Sequence, residues 1–212
     1  MRRSRRAHNE AVESTAAALA RVNAFGRAVK ADLPAVEVAL AELRTLLARA
    51  EVSYALVGGV AVIHHGYVRT TRDIDLLLDR GGVSRVVPLL HAAGFDATSE
   101  RRWRHRSTGV QIDLLFAGEP MPRERDRYPH PDHVGRSPRE SDIVDLPALI
   151  ALKLQAGRFR DEADVVELLQ HLDEGEYLAV EAALAAELRP RLFELRTVAI
   201  EERRWDDRHG GR

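Results

Sequence analysis

Leu56-Val57-Gly58-Gly59-Val60-Ala61-Val62-Ile63-His64-His65-Gly66-Tyr67-Val68-Arg69-Thr70-Thr71-Arg72-Asp73-Ile74-Asp75-Leu76-Leu77-Leu78 is the stretch on which the fold turns. Its apolar entry, Val52 to Val57, reads as a buried strand. Gly58-Gly59 ends that strand and opens a short helix, Val60 to His65, which Gly66 stops. Two glycines there let the backbone approach a ligand closely, and a helix start offers free N–H groups to phosphate. A tight turn would use the same glycines. Ile74 to Leu78 is a second apolar strand, entered through Asp73 and Asp75. Side chains two apart on a strand share a face, so these carboxylates project together, about 7 Å apart. Side by side they repel unless a cation lies between them. Oxygen-only pairs of this kind suit Mg²⁺, which also takes substrate phosphates. The plainer alternative is two surface aspartates at a solvated strand mouth.

Outward from this stretch, Gly81-Gly82 turns into a helix from Val83 to Ala93, closed by Gly94. Arg101 to Arg106 alternates, Ser107-Thr108-Gly109 is a turn, and Val110 to Phe116 is apolar, which together read as a β-hairpin. Asp113 is a carboxylate inside that last strand. If the strand neighbours Ile74 to Leu78, Asp113 joins the same cation site; by itself it is as readily a polar edge position. Upstream, residues 7–30 are Ala-rich and helical in pattern, Leu33-Pro34 breaks them, and a helix follows with Val36, Leu40, Leu43 and Leu47 on one face. Residues 117–140 carry Pro120, Pro122, Pro129, Pro131 and Pro138 among many charges and form a long loop. Asp145-Leu146-Pro147 starts a helix, and the chain is mostly helical from there to about Glu202.

The fold class is therefore α+β: a small, mixed, twisted sheet of about five strands with helices on one side. Residues 1–50 form an N-terminal helical segment, 51–144 the α/β core, and 145–205 C-terminal helices that wall a cleft. Residues 206–212 are a tail, expected with residues 1–6 to be disordered. The Ala/Leu surfaces of the N-terminal helices suit a homodimer, though core packing explains them as well.

The chain has 212 residues, 45% hydrophobic and 31% charged, enough to bury a core as a soluble globular protein. A net charge of −1 gives no global basicity to argue for nucleic acid. The absence of cysteine removes disulfides, thiolate metal sites and thiol nucleophiles. The longest uncharged stretch, Val52 to Val68, is too short to span a membrane, and no apolar run follows Arg2, Arg3, Arg5 and Arg6. We expect a cytoplasmic protein with no membrane contact. Only Lys30 and Lys153 are lysine among 32 basic residues. That bias favours a specific need for a compact ammonium at Lys153.

Leu56-Val57-Gly58-Gly59, His65-Gly66, Arg69-Thr70-Thr71-Arg72-Asp73-Ile74-Asp75-Leu76 and Ile112-Asp113-Leu114 together resemble the DNA polymerase beta-like nucleotidyltransferase superfamily. The branch they look most like includes the AbiEii-type toxins. Thirteen residues separate Gly59 from Asp73, natural for that branch. Gly59 stands where many relatives have serine, so a hydroxyl contact to phosphate is missing. Lys153 and the run Arg160-Asp161 to Asp164 resemble the branch's helical segment, with Arg160 where lysine is common.

The resemblance implies an enzyme that moves a nucleoside monophosphate from an NTP to an acceptor hydroxyl, with two Mg²⁺ ions. Asp73 and Asp75 would bind both metals, and Asp113 the metal near the acceptor. Gly58 and Gly59 would hold phosphates. Lys153 would act on the triphosphate, with Arg69, Thr71, Arg160 and Asp161 at the nucleotide. The acceptor is open between tRNA or other RNA, a protein and a small molecule, and a toxin–antitoxin role with an antitoxin partner is what the branch implies.

Two other readings compete. The chain could keep the fold as an inactive nucleotide- or partner-binding module. A haloacid dehalogenase-type phosphohydrolase also uses Asp-x-Asp, but there the apolar strand precedes the acidic pair. The basic patch Arg101 to Arg106 reads as a solvated strand face ahead of a track for an RNA backbone or a nucleotide phosphate. His64-His65 reads as packing, and His130 to His133 as a loop rather than a zinc site.

Overall fold

A computed structural model describes residues 33–209. The expected helix over 7–30 lies outside them. The first described element, α1 (Leu33–Ala50), buries Val36, Ala39, Leu40, Leu43, Leu46, Leu47 and Ala50, the 3.6-residue stripe its sequence writes. Strand β1 (Tyr54–Val57) runs straight into α2 (Gly58–His64). Then come β2 (Asp73–Leu78), α3 (Val83–Ala92), β3 (Phe95–Ala97), β4 (Arg102–His105) and β5 (Gln111–Phe116).

The five strands form one mixed sheet in the order β1-β2-β5-β4-β3. Only β2 and β5 are parallel. Their connection is a crossover that contains α3, as a parallel pair requires. Phe95–Ala97, which the sequence reading leaves out, is a three-residue edge strand paired to β4.

Alternation sorts the sheet into two faces. Ile74, Leu76, Leu78, Ile112, Leu114, Phe116 and Trp103 all lie buried on one. Helices α1 and α3 cover it: His105 on that face meets Glu42 of α1 at 3.1 Å, and the His91 ring of α3 packs 4.7 Å from Trp103. The other face carries Asp73, Asp75 and Leu77 on β2 and Gln111, Asp113 and Leu115 on β5.

Beyond the sheet, segment 140–144 hydrogen-bonds to the free edge of β1 through Leu56. The histidine pair packs as its apolar setting suggests. His64 is buried on Ser137 at 2.7 Å and His65 on the Val144 carbonyl at 2.8 Å. Burial, then the neighbouring His65, pushes His64 down to about 4, so it is neutral.

Four helices complete the described chain: α4 (Leu146–Ala156), α5 (Phe159–Gln170), α6 (Glu174–Ala183) and α7 (Arg189–His209). Asp145 caps α4 by accepting from the Ala148 N–H at 2.9 Å, and Gly157 closes it in the left-handed region at φ 58°. The tail expected from 206 onward is helical to His209, as the continuation of α7. No helix among the described residues is long and apolar enough to cross a membrane.

Leu43→Ala empties a fully buried site between α1 and the sheet. It is expected to cost about 2–5 kcal/mol, read as a lower urea midpoint with unchanged slope. A loss below about 1 kcal/mol would show that α1 is not part of the cooperative core.

Candidate active site

Gly58 begins the site because of its backbone. Its φ is +60°, a region that costs other residues about 1–2 kcal/mol. A Cβ there would lie 1.8 Å from Asp75 Oδ2. The turn therefore approaches the β2 carboxylate as closely as a glycine allows. Gly59 is constrained differently: a Cβ would fall 2.4 Å from Thr71 Oγ1. The space a serine side chain would need at position 59 is filled by the threonine.

In the parallel β2–β5 register, Asp75 stands directly opposite Asp113, and Asp73 opposite Gln111. Burial pushes the Asp75 carboxyl up to about 6, and repulsion from Asp73 and Asp113 adds to it. Lys153 and the Gly59 N–H pull the other way without prevailing. Asp113 is raised as well, by burial first, against the lowering effect of Arg102.

The carboxylates already have protein partners. Asp73 Oδ1 accepts from Thr71 at 3.0 Å. Asp113 Oδ1 accepts from Gln111 at 2.9 Å and pairs with Arg102 at 3.2 Å. Among the described residues no three acidic or imidazole groups converge as ligands of one ion, so the three-aspartate metal site expected from the sequence is not pre-assembled. The chemistry of the set still fits a hard divalent cation. It offers only oxygens, two of its carboxylates face each other across adjacent strands, and the Asp75 carboxyl is pushed up by burial and by its acidic neighbours.

A cleft of about 320 Å³ opens over this face. Asp75, Asp113, Leu77 and Leu115 form its floor, and Leu149, Leu152 and Lys153 of α4 face them. Tyr128 and Met121 of the proline-bearing loop close one side. Lys153 is almost wholly buried. Its ammonium donates to Asp164 Oδ2 at 2.6 Å and lies 3.5 Å from Asp161 Oδ1. Arg69 grips the same Asp164 at 2.9 and 3.1 Å, and Arg158 donates to Asp161 at 2.6 Å. Three cations thus share two buried carboxylates, leaving one positive charge over beside Asp75.

Three sequence expectations change here. Arg69 is not turned to the cleft; it ties the approach of β2 to α5 through Asp164. Thr71 is buried behind Asp73, so its hydroxyl orients a carboxylate instead of meeting a nucleotide. Arg160 is exposed and outside the cleft, and Arg158 lines it instead. The helical period carries the reason: Asp161, Asp164, Val165 and Leu168 make the buried stripe of α5, and Arg160 lies off it. Asp164, Arg158, Tyr128 and Arg102 belong to the site or its support, and the first of them could have been read from that stripe.

The raised Asp75 carboxyl has a stability consequence. Between the ordinary value of 3.8 and about 6, the folded chain holds a proton that the unfolded chain has lost. Stability therefore falls as pH rises through that window. Asp75→Asn is expected to stabilise the protein by about 1–3 kcal/mol at pH 7.5. The gain should vanish below pH 4, where Asp75 is protonated in both states. Equal or lower denaturant midpoints for the variant at pH 7.5 would contradict this account.

Residues 39–120 match the family model described as aminoglycoside-2''-adenylyltransferase. That span holds Gly58, Asp73, Asp75 and Asp113 and stops before Lys153. No curated protein matches the chain. A solution structure of the antibiotic-resistance factor ANT(2'')-Ia matches at 13% identity, covering 81% of this chain and 94% of that one, with a TM-score of 0.42. That likeness is too low to add to the fold described above. The family match does not fall on the AbiEii-type branch that the motifs suggest. The chain has an α+β fold and over residues 39–120 is similar to the aminoglycoside-2''-adenylyltransferases, a nucleotidyltransferase family.

Proposed function

We propose that the protein transfers a nucleoside monophosphate from an NTP, ATP first among them, to a hydroxyl group of a small molecule. The observation that carries this is the row of Asp73, Asp75 and Asp113 across two parallel strands, beneath a glycine turn and opposite a buried lysine. The family match supports ATP as donor and a small molecule as acceptor. RNA, protein and antitoxin partners have no support beyond the motif resemblance.

The reaction balances simply. The acceptor oxygen forms a bond to the α-phosphorus, the bond to the β-bridging oxygen breaks, and pyrophosphate leaves. The acceptor proton must go to a base, a role we give to Asp113, whose carboxyl is raised by burial. Gly58 and Gly59 bring backbone within reach of the phosphates, since no side chain stands in the way. Lys153 offers its ammonium to charge developing on the leaving group, and Asp161 and Asp164 hold it in place. Asp73, Asp75 and Asp113 would hold Mg²⁺, which supplies charge neutralisation at the phosphates and a more acidic acceptor hydroxyl when bound. Thr71 fixes the rotamer of Asp73, and Arg69 fixes Asp164, so both position other groups.

The test is label transfer from α-³²P-ATP with Mg²⁺ and a small-molecule extract. Label should enter a small molecule with the intact chain and fall at least a hundredfold in Asp73→Ala/Asp75→Ala or with EDTA. Transfer unchanged in the double variant, or label entering only RNA or protein, would overturn the proposal.

A further inference from the structure

Two residues beyond the acidic pair, the floor of the cleft changes character. Leu77 and Leu115 stand opposite each other in the same β2–β5 register, about 7 Å past Asp75 and Asp113 on the same face. Leu149 and Leu152 of α4 face them, and Met121 and Tyr128 form the side wall. One part of the cleft is therefore charged and the other apolar. Among the described residues that line it there is no Asn, Gln, Ser, Thr or His. Every polar side chain there is a carboxylate, a guanidinium or the Lys153 ammonium, with the exception of Tyr128.

Tyr128 is firmly placed. Its N–H donates to the Glu119 carbonyl at 2.9 Å, and its carbonyl accepts from the Gly118 N–H at 2.8 Å, which joins the two arms of loop 118–128. Pro120 and Arg127 bridge the same arms, and Met121 between them is buried. The ring is partly buried, and its hydroxyl has no hydrogen-bond partner among the described residues. Burial raises the phenol, so the ring is neutral near pH 7. Arg158, Asp75, Asp161 and Arg101 are the charges that act on it, so it stands where the apolar part meets the charged part.

With the phosphates at Gly58, Asp75 and Lys153, the nucleobase is the part of an NTP left to place. A slot of leucines with an aromatic wall suits the flat, apolar face of such a ring. A polyhydroxylated molecule in the same slot would leave its hydroxyls unpaired, because no neutral hydrogen-bonding side chain but Tyr128 is there to meet them. We propose that Tyr128 is the platform for the donor's nucleobase, and that the cleft selects its donor by ring area and not by base edge. This rests on the reading of the cleft as the NTP site. Stacking tolerates any base, since every base has a π-face. A site that offers no hydrogen bonds to the base edge cannot strongly reject a rival base. ATP and GTP then bind alike, and the smaller pyrimidine nucleotides bind less tightly.

The test is calorimetric binding of the four α,β-methylene NTPs to the full chain with Mg²⁺, beside inorganic tripolyphosphate as a probe without a base. The ATP and GTP analogues should agree within about threefold, with the UTP and CTP analogues about five- to tenfold weaker. Tyr128→Ala should weaken both purine analogues about tenfold and leave tripolyphosphate unchanged, and Tyr128→Phe should keep most of the affinity. A preference beyond about thirtyfold between the ATP and GTP analogues would overturn the proposal, because the base edge is then being read. So would Tyr128→Ala binding the purine analogues as tightly as the parent chain, or losing tripolyphosphate to the same degree. Base-tolerant binding that depends on Tyr128, without aspartate-dependent label transfer, would strike the proposed function and leave the platform standing. Aspartate-dependent transfer with a strict base preference would do the reverse, and failure of the parent chain to bind any analogue would overturn both.

Discussion

Two like charges face each other across one pair of strands, and the rest of the site answers that placement. Asp75 and Asp113 are opposed because β2 and β5 run parallel in a register that also pairs Ile74 with Ile112 and Leu76 with Leu114. The apolar pairs bury one face, and the same register forces the carboxylates together on the other. A slip of one residue would turn the aspartates into the core and the leucines into the cleft. The packing that stabilises the sheet thus sets the geometry of its acidic centre.

Around that centre the compensation is graded. Close by, Thr71, Gln111 and Arg102 donate to carboxylate oxygens. Farther out, Lys153, Arg69 and Arg158 are threaded between Asp161 and Asp164. An ion network this buried is not a source of net stability, because removing charges from water costs about what their pairing returns. Its value is positional: Asp161 and Asp164 hold the Lys153 ammonium in place at the wall of the cleft. Asp75 remains under-compensated all the same, buried beside two other carboxylates at a cost in stability.

Much of this is legible in the sequence where residue type conflicts with its setting. A glycine pair at a strand end, two aspartates opening an apolar strand, an aspartate inside another, and a lysine in an arginine-rich chain are each locally uneconomical, and the fold brings Gly58, Asp75, Asp113 and Lys153 from among them to one cleft. The five-strand mixed sheet follows from the same apolar runs. Spacing says little about the direction a side chain takes. Arg69 and Thr71 sit in the right run of sequence but point inward, to Asp164 and Asp73. Arg160 shares a motif with Asp161 yet lies off the buried stripe, while Arg158 reaches back from the start of the helix. Phe95–Ala97 escapes because three residues carry no periodicity, and only the partner β4 makes them a strand.

The glycine at position 59 illustrates how a departure from a motif can be read. Alone, the missing hydroxyl suggests a weakened phosphate site. In the fold, the volume a serine would occupy is taken by the Thr71 side chain, and that hydroxyl is committed to Asp73. Position 59 and position 71 are therefore one choice. A side chain at 59 would displace the threonine and release the aspartate it holds, so the glycine preserves carboxylate geometry at the expense of a direct contact to phosphate. The backbone N–H of Gly59, which reaches Asp75, shows that the turn remains engaged with the acidic centre without that side chain.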